Sequence, residues 1–334
     1  MFVDMSDVYV IAEVAESHYG DFERAINMIE KAHVAGASAV KFQHHIPSEE
    51  MLRDVPMSSN MREPLYDFLE RTAFGIKGHV RLKEYCDEIG IDYLCTPFSL
   101  RAALELEEYV NPPAYKIGSG ELTDLPTLAG IAKFGKPMIV STGMSEIVEI
   151  DETYNFLIGD VPELILLNCT SAYPPSEKDI NLGFIPKMIE RYPAAVIGHS
   201  DHTPGIYTAL GAVAMGARVL EKHITINHEL QGPDEDVSIS YDDLASLVEG
   251  AKIISNSLGS QKMLLNSERE IQAWARRSLV YLRDLKAGST LTEGDIWGKR
   301  PGTGIPSKYY WEFLGKTLKT DVVGNSLLSK EDFE

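Results

Sequence analysis

Cysteine is scarce in this chain. Cys86, Cys95 and Cys169 are the only three among 334 residues, and no two of them share a CxxC or CxxxC spacing. An odd count without that spacing argues against a disulfide framework and a structural zinc site, and it fits the reduced thiols of a cytoplasmic protein. Basic side chains are also in short supply: Lys plus Arg number 31 against 50 Asp plus Glu, a formal net charge of −19. Phosphate backbones and anionic lipid surfaces are held by surplus Lys and Arg, so nucleic-acid and membrane partners are disfavoured. A small anionic substrate is not, because a few local cations and backbone amides suffice inside an acidic protein. Long apolar runs are missing as well. No stretch approaches the ~18 consecutive apolar residues of a membrane span, and the opening residues carry Asp4 and Asp7 where a secretory leader has a basic region.

What is present is an ordinary globular composition, 44% hydrophobic and 24% charged, which excludes wholesale disorder and a fibrous repeat. At roughly 150 residues per domain the length predicts about two domains. Short apolar, β-branched runs alternate with longer amphipathic segments, the pattern of βα units around a parallel sheet. Eight such runs occur: Val8–Ala12, Ala39–Phe42, Asp92–Leu94, Ala114–Ile117, Met138–Ser141, Leu164–Asn168, Val196–Gly198 and Val219–Lys222. Helical spacing falls near 22–35, 64–89, 99–109, 125–133, 146–158, 180–192, 205–215 and 240–258. Eight repeats predict a TIM (β/α)8 barrel, typically about 250 residues, over 1–258, with an open doubly wound sheet as the alternative. Asp21, Ser99 and Asp124 suit helix N-caps, and Gly36 and Gly90 suit C-caps. From 259 to 276 a polar, basic stretch reads as a linker helix. The remainder, 277–334, has a strand-like run at Ser278–Leu282, turn signals and no long amphipathic helix, as expected of a small, loop-rich domain.

In such a barrel the chemistry gathers at the C-terminal strand ends, and here those ends are polar. They offer Glu13, Glu16 and His18; Lys41 and Gln43; Thr96 and Ser99; Lys116, Ser119 and Glu121; Ser141 and Thr142; Thr170, Ser171 and Tyr173; His199, Ser200, Asp201 and His202; and Glu221, Lys222 and His223. A lysine within a buried strand is costly unless its charge is paired, so Lys41 and Lys116 point to an anion in the barrel mouth. A phosphate would serve, with Ser/Thr hydroxyls and glycine amides in TPFS, IGSGE and STGM as donors. The bland alternative places each lysine in solvent past its strand end. His202 and His223 end neighbouring strands, and two imidazoles without cysteine suit an octahedral Mn²⁺, Mg²⁺ or Co²⁺ that polarises a carbonyl as a Lewis acid. Glu121, on a Gly-Ser-Gly bend, reads either as a general acid or base or as a cap of the helix near 125. Glu13 suits hydrogen bonding to a polyol. His18, His44 and His45 remain equally open to loop roles.

Taken together, IAEVAESHYG, AVKFQ, CTPFS, YKIGSGE, IVSTGM, NCTSAYP, GHSDHTPG, LEKHIT and GPD resemble the sialic acid (N-acetylneuraminate) synthase family, with its legionaminic and pseudaminic acid synthases. The tail RRSLVYLRDLKAGSTLTEGDIWGKRPGTGIP resembles that family's antifreeze-like (SAF) domain, so the likeness spans nearly the whole chain. The resemblance implies a cytoplasmic TIM-barrel enzyme with a C-terminal SAF domain, assembled as a domain-swapped homodimer. It would condense phosphoenolpyruvate with an N-acylated mannose-type sugar aldehyde, releasing phosphate and a nine-carbon 2-keto acid. Position by position, Lys41, Thr96, Lys116, Ser119, Ser141 and Ser200 match phosphoenolpyruvate contacts, with Ser171 where some members have Asn. His202 and His223 match metal ligands, Mn²⁺ foremost. Glu121 matches the catalytic carboxylate, Glu13 is a second carboxylate at a sugar-contacting position, and Gln43, Tyr173 and Asp234 match further sugar contacts. Arg300 matches the arginine that the swapped domain offers to the N-acyl group, where a planar guanidinium has two donors to give. The first motif departs from E-I-G-x-N-H-x-G at Ala15 and Ser17, with Glu16 at its variable position, and Gln231 precedes GPD where some members carry proline. These departures fall on the expected sugar side, so they bear on the acceptor more than on the chemistry.

Overall fold

The structure, a computed structural model, describes residues 2–4, 7–56, 61, 63–226 and 232–333; Gln231 lies outside them. The chain divides into two compact units, Met1–Gly259 and Ser260–Glu334. In the first, eight parallel strands close into a barrel in sequence order: β1 (Tyr9–Glu13), β2 (Ala39–His44), β3 (Asp92–Pro97), β4 (Tyr115–Ile117), β5 (Met138–Ser141), β6 (Leu164–Cys169), β7 (Val196–Asp201) and β8 (Val219–His223). This is the expected TIM barrel, and β1 pairing with β8 closes it, which excludes the open sheet.

Side chains on a strand alternate between its two faces, and that period builds the site. Val10, Ala12, Val40, Phe42, Tyr93, Val140, Leu166 and Leu220 pack outward with the helices, whereas Ile11, Ala39, Leu94, Ala114, Ile139, Leu167 and Val219 form a separate apolar cluster inside the barrel. Two residues further on, the same inward rows carry Glu13, Lys41, Thr96, Lys116, Ser141, Cys169 and Glu221, all lining one cavity. Six strands run on into this polar layer, which is why β1, β2, β3, β6, β7 and β8 end later than hydrophobicity alone marks. Inward-facing Gly198 has no room for a side chain, since a Cβ there would stand 2.5 Å from both Leu167 Cδ2 and the Val219 carbonyl.

The expected caps are in place: the side chains of Asp21, Ser99 and Asp124 accept from Arg24, Ala102 and Thr127 backbone N–H groups. Gly90, at φ 81°, ends its helix in the left-handed conformation, and Gly36, at φ 85°, lies just past the end of the first. One segment differs. The helix expected over 64–89 is two helices, Leu65–Thr72 and Ile76–Ile89, because Ala73 turns extended and Gly75 starts the second. The helix expected over 180–192 is regular only at Ile185–Arg191, after a short 3-10 turn.

The break brings Phe74 onto His18, whose rings stack at 4.1 Å, within a group of buried histidines. His44 meets His79 at 4.7 Å, and His79 Nδ1 stands 2.7 Å from the Tyr93 hydroxyl. Burial lowers all three, His18 to about 3 and His79 well below the ordinary value. A histidine lowered in the folded state is protonated first in the unfolded chain, so its contribution is complete above pH ~6.5 and is lost as pH falls toward 3. Glu13 and Glu16, both raised by burial to about 7, act in the opposite sense. A variant separates the two. His18→Gln is expected to reduce the slope of unfolding free energy with pH near pH 5 by about one proton, read from denaturant titrations across pH; an unchanged slope would contradict this.

The second unit holds an antiparallel pair, β9 (Ser278–Tyr281) and β10 (Ile296–Lys299), over its own core of Leu279, Tyr281, Leu291, Ile296, Phe313 and Leu318. The stretch expected as a linker helix is helical only over Arg269–Ala275, after a 3-10 turn at Asn266–Glu268. Among the described residues no helix is long and apolar enough to cross a membrane.

Candidate active site

At the C-terminal end of the barrel lies a cavity of about 420 Å³. The barrel residues that the family resemblance assigned to the site all line it: Glu13, Lys41, Gln43, Thr96, Lys116, Ser119, Glu121, Ser141, Ser171, Tyr173, Ser200, His202, His223 and Asp234. The strand-end residues His18, Ser99, Thr142, Thr170, His199, Asp201 and Lys222 do not. Arg300 belongs to the second unit, where its guanidinium lies 4.9 Å from the Trp274 ring centroid and donates to the Ala275 carbonyl.

Both lysines are buried rather than in solvent, so the bland alternative fails. Lys41 Nζ is 2.6 Å from Glu13 and 3.6 Å from Glu221, and it donates to the Thr96 hydroxyl at 3.1 Å. Lys116 Nζ is 3.5 Å from the same Glu221 oxygen, which also accepts from Ser200. Burial alone would depress the Lys41 ammonium, but Glu13 and Glu221 outweigh it and hold the charge, whereas burial dominates at Lys116 and lowers it. Glu221 responds in kind: burial pushes it up, and the two lysines pull it below the usual carboxylate range. Glu221 is a strand-end residue to which the sequence assigned no role, and it is the carboxylate shared by the two lysines. Its position two residues before His223, on the inward row of β8, was the available signal.

Beside the lysines stand hydroxyls poised for an anion. Ser141 Oγ is buried with no hydrogen-bond partner among the described residues. Ser119 Oγ accepts from the Gly143 amide at 3.1 Å. A Cβ on Gly143 would stand 2.2 Å from Ser171 Oγ, so glycine lets that backbone pass close to the hydroxyl. Cys169, given no site role from the sequence, lies 3.7 Å from Ser119 Oγ.

Glu121 ends a 3-10 turn, Ser119–Glu121, and Asp124 caps the following helix, which disposes of the capping alternative. Its Oε2 is buried without a hydrogen-bond partner among the described residues, in space that a Cβ on Gly118 would invade at 2.4 Å. Burial raises the Glu121 carboxyl, the direction that suits a group exchanging protons near neutrality. Across the pocket Gln43 donates to Glu13 at 3.0 Å, and its carbonyl faces His45, which also pairs with Glu50.

His202 and His223 face one another with ring centroids 5.3 Å apart. His202 Nδ1 lies 2.9 Å from the Thr170 carbonyl, so it donates there, leaving the Nε2 lone pair toward Tyr173 OH at 3.2 Å. Burial holds His223 neutral, well below the ordinary histidine value, and neutral imidazole is the ligating form. Among the described residues no three His, Cys, Asp or Glu side chains form a metal-holding group. A cation held here would have the two imidazole nitrogens as its protein ligands and its other positions left to water and substrate oxygens.

A closed (β/α)8 barrel with buried lysines, hydroxyls, an unpartnered carboxylate and facing imidazoles at its mouth defines the class as a TIM-barrel enzyme. Comparison with known proteins narrows it. The NeuB family matches residues 28–263 and the SAF domain residues 276–334. The chain belongs to the NeuB family of synthases and carries a C-terminal SAF domain. It is 34% identical to N,N'-diacetyllegionaminic acid synthase of Campylobacter jejuni, with 93% of this chain and 96% of the relative covered. To pseudaminic acid synthase of the same species it is 33% identical, with 98% and 96% covered. A solved N-acetylneuraminic acid synthetase of Leptospira borgpetersenii superposes with a TM-score of 0.73 at 33% identity, over 79% of this chain and 90% of that one.

Proposed function

We propose that this enzyme condenses phosphoenolpyruvate with a free, N-acylated mannose-type sugar and water, giving a nonulosonic acid and phosphate. N-acetylmannosamine and its 2,4-diacetamido-6-deoxy analogue are the acceptors in view, and the cytoplasm is its compartment. The observation that carries the reading is the polarity of the cavity. Lys41 and Lys116, with Thr96, Ser119, Ser141, Ser171 and Ser200, line it together with Glu13, Gln43, Tyr173, Glu121 and Asp234, and Glu13 and Glu221 tie the two lysines into one charged group. Lysines and hydroxyls suit the phosphate and carboxylate of phosphoenolpyruvate, as donors of charge-assisted hydrogen bonds. Glu13 and Glu221 neutralise the two ammonium groups before substrate arrives and hold them at the spacing at which the anion meets them.

The C3 methylene of phosphoenolpyruvate attacks the sugar's open-chain aldehyde: its C=C π electrons form the carbon–carbon bond, and the aldehyde oxygen takes a proton. Water adds to the resulting oxocarbenium-like C2 and loses a proton, and the C2–O bond then breaks to release phosphate and leave the 2-keto acid. Glu121, its oxygen without a partner, takes the proton of that water or stabilises the cation. Gln43, Tyr173, Glu13 and Asp234 orient the sugar hydroxyls. His202 and His223 would hold a divalent cation, Mn²⁺ foremost with Mg²⁺ or Co²⁺ as substitutes, which supplies Lewis-acid polarisation of the aldehyde. Arg300 would meet the N-acyl carbonyl in a domain-swapped homodimer. Arg300→Ala is accordingly expected to raise the sugar KM about tenfold or more, the scale of a lost charge-assisted hydrogen bond, with the phosphoenolpyruvate KM unchanged. An unmoved sugar KM would remove Arg300 from the site.

A sugar carrying its own phosphate would need further cations, and Lys41 and Lys116 are the lysines or arginines among the described lining residues. The test is phosphate release from phosphoenolpyruvate with Mn²⁺ and a panel of sugars: N-acetylmannosamine, its 6-phosphate, and the 2,4-diacetamido-6-deoxy mannose and altrose analogues. Release with one free sugar supports the reading and names the acceptor. Release with the phosphorylated sugar alone transfers the enzyme to the 9-phosphate synthases. Silence throughout favours a carbohydrate-binding protein without catalysis.

A further inference from the structure

The alternation that sends Ser200, His202, Glu221 and His223 into the cavity sends Asp201 and Lys222 to the opposite side of the same wall. These two are register partners on β7 and β8, Asp201 1% exposed and Lys222 fully buried. Lys222 Nζ donates to Asp201 Oδ2 at 3.2 Å and also to the Thr203 carbonyl. Asp201 Oδ1 accepts from the Thr203 amide and hydroxyl, each at 2.9 Å, and Oδ2 accepts from the Thr208 hydroxyl at 2.7 Å. His199 Nε2 also faces Asp201, at 3.9 Å. The bonds of the Asp201 carboxylate thus close on the residues that flank His202, and Lys222 is the residue before His223. A buried ion pair is often no more stabilising than apolar residues of the same volume, so the fold alone does not call for one here. What such a pair supplies is direction: fixed donors and acceptors tie the backbone on both sides of His202, and they anchor Lys222, the residue before His223, to that same segment.

We propose that Asp201 and Lys222 are positioning residues that hold His202 and His223 at the spacing a shared divalent cation requires. The inference rests on the metal reading of those two histidines. Residues behind a metal ligand that fix its orientation typically carry 10–100-fold in metal affinity, and this pair acts on both ligands from behind the barrel wall.

The experiment is isothermal titration of Mn²⁺ into the full-length, metal-stripped chain without substrate, with phosphoenolpyruvate binding and thermal melting measured in parallel. Asp201→Asn and Lys222→Met are each expected to raise the Mn²⁺ Kd by about 10–100-fold and to leave metal-free phosphoenolpyruvate affinity unchanged. Because either single variant leaves a buried partner unpaired, the double variant Asp201→Leu/Lys222→Met serves as control. It is expected to melt near wild type while still binding Mn²⁺ weakly. A folded double variant with wild-type Mn²⁺ affinity overturns the inference, as does a loss of both affinities in parallel with melting, which marks a merely structural pair. Wild-type chain that binds no Mn²⁺ overturns the metal reading itself, and the inference with it.

Discussion

Glu121→Gln is expected to lower kcat by roughly two to four orders of magnitude, the range of a lost proton-transfer group, while the protein melts at its wild-type temperature. The two halves of this result have separate causes. Glu121 Oε2 has no hydrogen-bond partner among the described residues, and the Glu121 backbone rather than its side chain shapes the turn, so the fold loses nothing when the acid becomes an amide. The chemistry loses its proton carrier. Burial raises this carboxyl above the ordinary glutamate range, so the wild-type rate should show a titration above that range, and Glu121→Gln should lack it. Single-turnover rates across pH read both effects, and a variant with near-wild-type turnover would strip Glu121 of its role.

The second large effect concerns stability. Glu221→Ala removes the carboxylate 3.6 Å from Lys41 and 3.5 Å from Lys116. Lys41 keeps Glu13 at 2.6 Å, but Lys116 loses the carboxylate that chiefly opposes its desolvation. Breaking a buried pair from one side costs about 3–5 kcal/mol, which for a domain of this size lowers Tm by roughly 10 °C. The same loss opens a vacant anion position. Phosphoenolpyruvate, which binds the folded state, should therefore raise the variant's Tm by more than it raises that of the wild type. Differential scanning calorimetry with and without phosphoenolpyruvate measures both shifts. An unaltered Tm in the variant would mean that Glu221 does not neutralise the lysines.

Much of this site was legible in the sequence, because the information lies in short strands whose period is two. Once Ile11, Ala39, Ala114 and Val219 are recognised as barrel interior, Glu13, Lys41, Lys116 and Glu221 must share a face, and the eight runs sufficed to place them. Glu121 was visible for another reason, an acidic residue directly after a Gly-Ser-Gly bend. What was not legible depends on closure. Glu221 bridges two lysines from different strands, β2 and β4, across the barrel interior from β8, and no spacing along the chain reports such a meeting. The Asp201–Lys222 pair was hidden for the same reason, since each member reads singly as one more polar residue at a strand end. The break at Ala73–Gly75 escaped because helical periodicity continues on both sides of it, while the packing of Phe74 on His18 that accompanies it joins residues far apart in sequence. The two first-motif departures and Glu16 follow β1, and Glu16 lines the same cavity as Asp234.

The most direct test of the central claim is the mass of the product formed from phosphoenolpyruvate, Mn²⁺ and a free N-acylated mannosamine, measured together with the phosphate released. The account predicts a single acid that contains the sugar plus the three carbons of pyruvate, formed in equal amount to phosphate, and no phosphate when the sugar is omitted. Pyruvate with unchanged sugar, or phosphate released without any sugar, would show a cavity that hydrolyses phosphoenolpyruvate rather than joining it to an aldehyde, and would contradict the account.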